Sequence, residues 1–145
     1  RDARLPFLGI DGILTATCCP NCVSYEGPRL SRYALDGGSE VLSCEDAGDT
    51  MYIEEELVRI FENDLILGET PVPLFYGARF EDVCTLGGFA LWWQDWEYTT
   101  CPDCGQPMKY LMQIHWDALT DYMEGTLYIE FCPDCRVVSM QHQQT

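Results

Sequence analysis

The sequence predicts a β-rich α+β fold whose sheet is mainly antiparallel. Three observations predict it. The last third alternates with period two: Leu127, Ile129 and Phe131 stand against Thr126, Tyr128 and Glu130, and Tyr110, Met112 and Ile114 against Lys109, Leu111, Gln113 and His115. Such alternation marks half-buried strands. Two identical C-P-D-C motifs, Cys101-Pro102-Asp103-Cys104 and Cys132-Pro133-Asp134-Cys135, stand 27 residues apart, each directly before one of these strands or a short Val137-Val138 strand. The helical share is small: Ile53, Leu57, Ile60 and Phe61 fall at helical spacing, on one short amphipathic helix.

The elements follow in order. Residues 5–25 read as strand, turn and strand around a third motif, Cys19-Pro20-Asn21-Cys22, with Cys18 directly before it. Residues 26–49 carry glycine, serine and charge, and Gly37-Gly38 marks a turn. Acids concentrate from Glu45 to Asp64 against Arg59 alone, and their ordinary role is a solvated face. Pro71 and Pro73 make residues 68–79 an extended connection or edge strand. Gly87-Gly88 is a turn, and Phe89 to Trp93 reads as a buried strand turning out towards the paired cysteines. His115 to Gly125 is a loop or one helical turn. With 145 residues, 47% of them hydrophobic, the chain has material for one domain with its own core. The expected organisation is a single domain, 1–145, with a first part over 1–85 and a cysteine-paired part over 86–145.

Charge narrows the function. The formal net charge is −16, from 24 acids and 8 bases. A nucleic-acid backbone would be repelled, so nucleic-acid binding is not expected. The acids serve solubility or a docking face for a basic protein partner. No apolar run approaches the ~20 residues of a membrane span, and no basic-then-apolar leader is visible. A cytoplasmic location is therefore expected.

The cysteines carry the chemistry. Four thiols in two C-x-x-C pairs can close a tetrahedral site, and zinc is its default occupant. Proline at the second position fixes φ. Gly105, after the first pair, can take a positive φ that turns backbone amides towards sulfur. The expected ligands are Cys101, Cys104, Cys132 and Cys135, on zinc-knuckle hairpins in a zinc-ribbon-like part. Iron also suits four thiolates. Cys19 and Cys22 form half of a second possible site, with Cys44 and Cys18 or Cys84 as the candidates to complete it. The competing readings are disulfides, buried apolar thiols and redox catalysis. The last needs a thiol at a helix start, which Gly-Gln-Pro-Met and Arg-Val-Val-Ser after the two pairs do not suggest. His115 and His142 lie in no zinc-hydrolase motif and read as ordinary strand residues. No nucleophile elbow, phosphate loop or dinucleotide fingerprint occurs, so no catalytic residue and no enzymatic activity are expected. Trp92, Trp93 and Trp96 either pack the core over the cysteines or line a binding surface.

One further pattern carries a resemblance. Leu86-Gly87-Gly88, Trp93-Gln94-Asp95, Tyr98, Cys101 to Gly105, Met108, Gln113, Gly125, Tyr128, Phe131 to Cys135 and Gln143-Gln144-Thr145 together resemble the C-terminal part of bacterial YwqG-like proteins, the domain-of-unknown-function family 1963. More distantly, the pattern is similar to programmed-cell-death-2-like proteins. The resemblance covers residues 86–145. It departs from the usual pattern in the added Cys19-Pro20-Asn21-Cys22 and in Phe89-Ala90-Leu91-Trp92, where Gly-Gly-x-Pro-x-Trp is usual. The first group implies no established activity. The second implies a dedicated chaperone for a basic ribosomal protein. The expected function is thus a zinc-stabilised, acidic protein-interaction module. The alternatives are an immunity- or chaperone-type protein for a basic partner, or a thiol redox protein.

Overall fold

The computed structural model describes residues 6–17, 19–23, 27–43, 65–68, 84–121 and 123–144. The expected amphipathic helix over Ile53–Phe61, the proline-rich connection after Gly68, Cys18 and Cys44 lie outside the described residues.

A six-stranded antiparallel sheet organises the described residues. Its strands are β1 (Arg29–Tyr33), β2 (Ser39–Val41), β3 (Thr85–Leu86), β4 (Lys109–His115), β5 (Thr126–Cys132) and β6 (Val137–Gln143). Their spatial order is β2-β1-β6-β5-β4-β3. Among the described residues, helix is limited to one turn, α1 (Pro20–Val23), and two 3-10 turns, Pro6–Leu8 and Trp116–Ala118. The sheet draws β1 and β2 from the first part of the chain and β4 to β6 from the second, with β3 at the boundary, because β1 pairs along β6 with Leu30 opposite Ser139.

β4, β5 and β6 form a meander in which every residue of β5 is buried. One face is apolar. Leu127, Ile129 and Phe131 of β5 align with His142, Met140 and Val138 of β6. All but His142 pack with Leu111, Ile114, Trp116, Tyr33 and Val23 in the main core. The register slips by one residue between Tyr110 and Met112. This bulge lets Leu111 enter the core as well as Ile114, against the strict alternation read from sequence.

The opposite face is polar and yet buried. Gln113, Thr126, Tyr128, Glu130, Ser139, Gln141 and Gln143 are all nearly closed to solvent. What closes them is residues 89–99, which join no strand. This strap docks its backbone on the side chains of the sheet. Gln113 Oε1 accepts the Leu91 N–H at 2.8 Å. The Tyr128 hydroxyl donates to the Leu91 carbonyl and accepts the Trp93 N–H. Gln143 accepts the Gln94 N–H and donates to the Asp95 carbonyl. Gln141 donates to the Glu97 carbonyl at 2.7 Å, and Glu130 Oε2 accepts the Thr99 N–H at 2.8 Å. Each such bond contributes about 1 kcal/mol net, and leaving a buried partner unpaired costs more. The expected buried strand from Phe89 to Trp93 is corrected accordingly: these residues lie on the sheet instead of in it. Trp92 stacks on Tyr128 at 4.4 Å, and Trp93 donates its indole N–H to Thr126.

The strand-turn-strand expected over residues 5–25 is also absent among the described residues. Ile13 makes only an isolated bridge with Asp36. Pro20 instead starts a helical turn, where its fixed φ suits the first position, and Val23 N–H closes that turn on the Cys19 carbonyl at 3.0 Å. The turn expected at Gly37-Gly38 is present, joining β1 to β2, with Gly37 at φ +100°. The His115–Gly125 connection carries the 3-10 turn Trp116–Ala118, in keeping with the loop or helical turn read there.

Glu130 is the anomaly of the polar face. It is fully buried. Its Oε1 has no hydrogen-bond partner among the described residues. Burial pushes its pKa up, against the opposing Thr99 N–H. A carboxyl with a raised folded-state pKa favours the fold most below its unfolded value, and that contribution fades as pH rises through the folded value. Glu130→Gln keeps an acceptor for Thr99 and removes the charge. Its stability relative to wild type is expected to rise as pH is raised from 5, while the buried Glu130 carboxyl is forced to ionise, and then to level off. Paired thermal melts across that range check this; a constant difference contradicts it.

Candidate metal centre

The two C-P-D-C motifs occupy matching tight turns. In the first, Gly105 N–H bonds the Cys101 carbonyl at 2.9 Å and Cys101 N–H bonds the Gln106 carbonyl at 2.8 Å. In the second, the motif caps the β5–β6 hairpin, whose last pair is Cys132 with Val137. Each turn ends on a residue in the left-handed region: Gly105 at φ +69° and Arg136 at φ +57°. Glycine takes that conformation freely; arginine pays about 1 kcal/mol for it. Arg136→Gly is therefore expected to raise stability by about 1 kcal/mol, seen as a higher denaturant midpoint at unchanged slope. A lower midpoint would mean that the Arg136 side chain matters more than its backbone strain.

The turns bring Cys101, Cys104, Cys132 and Cys135 together, with all four sulfurs within 4.8 Å of one another. Cys104 and Cys132 Sγ stand 3.9 Å apart. Four sulfurs placed tetrahedrally at ~2.3 Å from one ion would be separated by about 3.8 Å, so the cluster fits a four-thiolate metal centre. Cys101 and Cys132 are buried, Cys135 is half-buried and Cys104 is exposed. Met108, Val137 and Leu30 pack around the inner side.

The electrostatics of the thiols agree with that fit. Burial opposes ionisation of Cys101, but backbone N–H groups of Cys104 and Asp103, joined by the neighbouring thiols, hold its pKa below the ordinary thiol value. Burial pushes Cys132 and Cys135 up, and the sulfurs of Cys101 and Cys104 push both further. Packing four thiolates together without a cation is thus unfavourable, and a divalent cation would remove that penalty.

Arg32, on β1, ties the two turns to each other. Its Nη1 donates to Asp103 Oδ2 at 2.8 Å and to the Cys135 carbonyl at 3.1 Å. The ion pair holds the Asp103 carboxyl below its usual range, through the hydrogen bond first. Sequence reasoning missed Arg32 because nothing in Arg-Leu-Ser-Arg-Tyr marks a strand: its buried residues are Ser31 and Tyr33, and Leu30 faces the other way, towards the cysteines.

The remaining expected ligands stand apart. Cys19 directly precedes the α1 turn, Cys22 lies within it, and neither is part of the four-sulfur cluster. Cys22 is buried and its carbonyl accepts two bonds from Arg29. Cys44 lies outside the described residues, so a second site has no third ligand among those described. Cys84 Sγ accepts the His115 N–H at 3.3 Å. His115 and His142 sit in β4 and β6 as strand residues, with neither in the cluster.

The fold and site define an antiparallel-sheet protein with a four-cysteine centre able to hold a metal ion. Among known proteins it is similar to the uncharacterized protein YpfL of Salmonella typhimurium strain LT2, 39% identical over 141 residues, covering 92% of this chain and 32% of that protein. The chain thus spans about a third of the length of the curated relative it matches. No family model matches the chain, and no solved structure does. No helix among the described residues is long and apolar enough to cross a membrane.

Proposed function

We propose that this chain is a zinc-stapled protein-interaction module of the bacterial cytoplasm that binds a basic protein partner and carries out no turnover of its own. One observation carries the reading: the strap over residues 89–99 has its backbone bonded to the sheet, yet presents Phe89 at 86% and Trp96 at 85% exposure. Large aromatic side chains held out on a fixed backbone are what anchored interfaces use. Asp95 and Glu97 flank Trp96, and the chain as a whole carries −16, which suits a partner rich in lysine and arginine.

Zinc is the proposed metal, with both C-P-D-C turns acting as zinc-knuckle hairpins in an α+β domain. Four thiolates fill the coordination sphere of zinc, leaving no position for a substrate or an activated water. That favours a structural over a catalytic role. The proposed kinship with YwqG-like proteins gains support from where the shared residues fall: Trp93, Gln113, Tyr128 and Gln143 are the residues that clamp the strap. A chaperone- or immunity-type role for a basic partner is the same reading with the partner's fate specified.

The test is partner capture on the immobilised chain, followed by titration of the captured protein. Trp96→Ala is expected to weaken binding by about 2 kcal/mol, some 30-fold, without shifting the melting temperature, and binding is expected to fall with salt. A partner that binds Trp96→Ala and Phe89→Ala as tightly as wild type would contradict the assignment of the strap. A captured partner that is acidic would contradict the charge argument.

A further inference from the structure

The four sulfurs of the centre are not equivalent. Cys101 and Cys132 are buried and Cys135 is half-buried, whereas Cys104 is exposed. Across the two turns, Cys132 Sγ stands 3.9 Å from the Cys104 sulfur. Approach by an oxidant from solvent therefore meets Cys104 first, with a second sulfur from the other turn already beside it.

We propose that the centre is a redox-modification site, in which a hydroperoxide such as hydrogen peroxide converts the Cys104–Cys132 pair into a disulfide that joins the two turns. The inference rests on the four-cysteine centre proposed above. In the first step the Cys104 thiolate attacks one peroxide oxygen; a sulfur–oxygen bond forms, the oxygen–oxygen bond breaks and hydroxide leaves. In the second, the Cys132 thiolate attacks the Cys104 sulfur; the sulfur–sulfur bond forms and the second oxygen leaves as hydroxide. The two sulfurs lose two electrons and the peroxide gains them. Closing the pair requires the sulfurs to approach by about 2 Å. Two of the four ligands are withdrawn, so a metal held there is released.

The choice of partner has a structural consequence. A bond within either C-P-D-C pair would leave no link between the cysteines of the two turns once the metal departs. A Cys104–Cys132 bond keeps them together: the metal staple is exchanged for a covalent one, with Arg32 still bridging Asp103 and the Cys135 carbonyl. Loss of metal would then leave the sheet folded, with Cys101 and Cys135 freed as thiols.

The chain offers a direct readout. Its basic residues place Cys101 and Cys104 on the tryptic peptide 80–109, and Cys132 and Cys135 on 110–136. The protein, purified with its metal, is treated with equimolar hydrogen peroxide, alkylated and digested, while released metal is followed with a chromogenic chelator. The expected result is a disulfide joining the two peptides, mapped by fragmentation to Cys104 and Cys132, with about two thiols lost per peroxide consumed and metal release in step. A first disulfide within either C-P-D-C pair overturns the proposal, as does metal release without the joined peptides. Cys84→Ser removes another exposed thiol outside the centre and is expected to leave the course unchanged; loss of the Cys104–Cys132 bond in that variant also overturns it. Metal content of the untreated sample separates the two readings: metal present with no cross-peptide bond overturns this inference and leaves the zinc staple standing.

Discussion

Cys104→Ser is expected to lower the melting temperature sharply and to abolish stoichiometric metal binding. The variant is informative because Cys104 is exposed. An exposed cysteine with no ligand role is replaced by serine at a cost within about 0.5 kcal/mol. A cysteine that holds a quarter of a zinc site is different, since binding energy of about 10–16 kcal/mol is coupled to the fold in small structural zinc sites. A loss of at least ~3 kcal/mol is expected, because the thiolates crowded around the centre lose part of the cation that balances them. Thermal unfolding with and without added zinc checks it. Unchanged melting would remove the metal from the account.

The second large effect is expected at Gly125. It sits at φ +89° just before β5, and an added Cβ would lie 2.5 Å from the Gln143 carbonyl oxygen and 2.6 Å from His142 Nε2. Backbone cannot yield there without moving β6. Gly125→Ala is expected to cost about 2–4 kcal/mol, combining left-handed strain with the clash. The damage should extend to the strap, because the Gln143 side chain holds Gln94 and Asp95 next to Trp96. Urea unfolding followed by tryptophan fluorescence is the measurement. A shift below 1 kcal/mol would show that the β5–β6 end is looser than its hydrogen bonds indicate.

The four cysteines were legible because metal ligation imposes spacing: two identical pairs with proline and a turn residue have few other uses. The three C-terminal strands were legible because Leu127, Ile129 and Phe131 face a core that rewards alternation. The strap was not. Gln113, Gln141 and Gln143 sit at positions that alternation assigns to solvent, and only a segment docked over them by side-chain hydrogen bonds explains their burial. Phe89 to Trp93 misled for the complementary reason: an apolar run reads as a buried strand, although its backbone bonds go to side chains and Phe89 points outward. β1 stayed hidden because its buried residues include Ser31. The Cys19-Pro20-Asn21-Cys22 motif repeats the cysteine spacing, but proline there starts a helical turn and no third ligand among the described residues joins it.

A metal staple across the two C-P-D-C turns would show directly in the metal content of the protein. Elemental analysis of protein purified without added metal, with a free-thiol count on the same sample, tests it most directly. The expected result is one zinc per chain, with the four thiols of the centre protected until a chelator is added. Protein that carries no metal and whose C-P-D-C thiols react at once would contradict it.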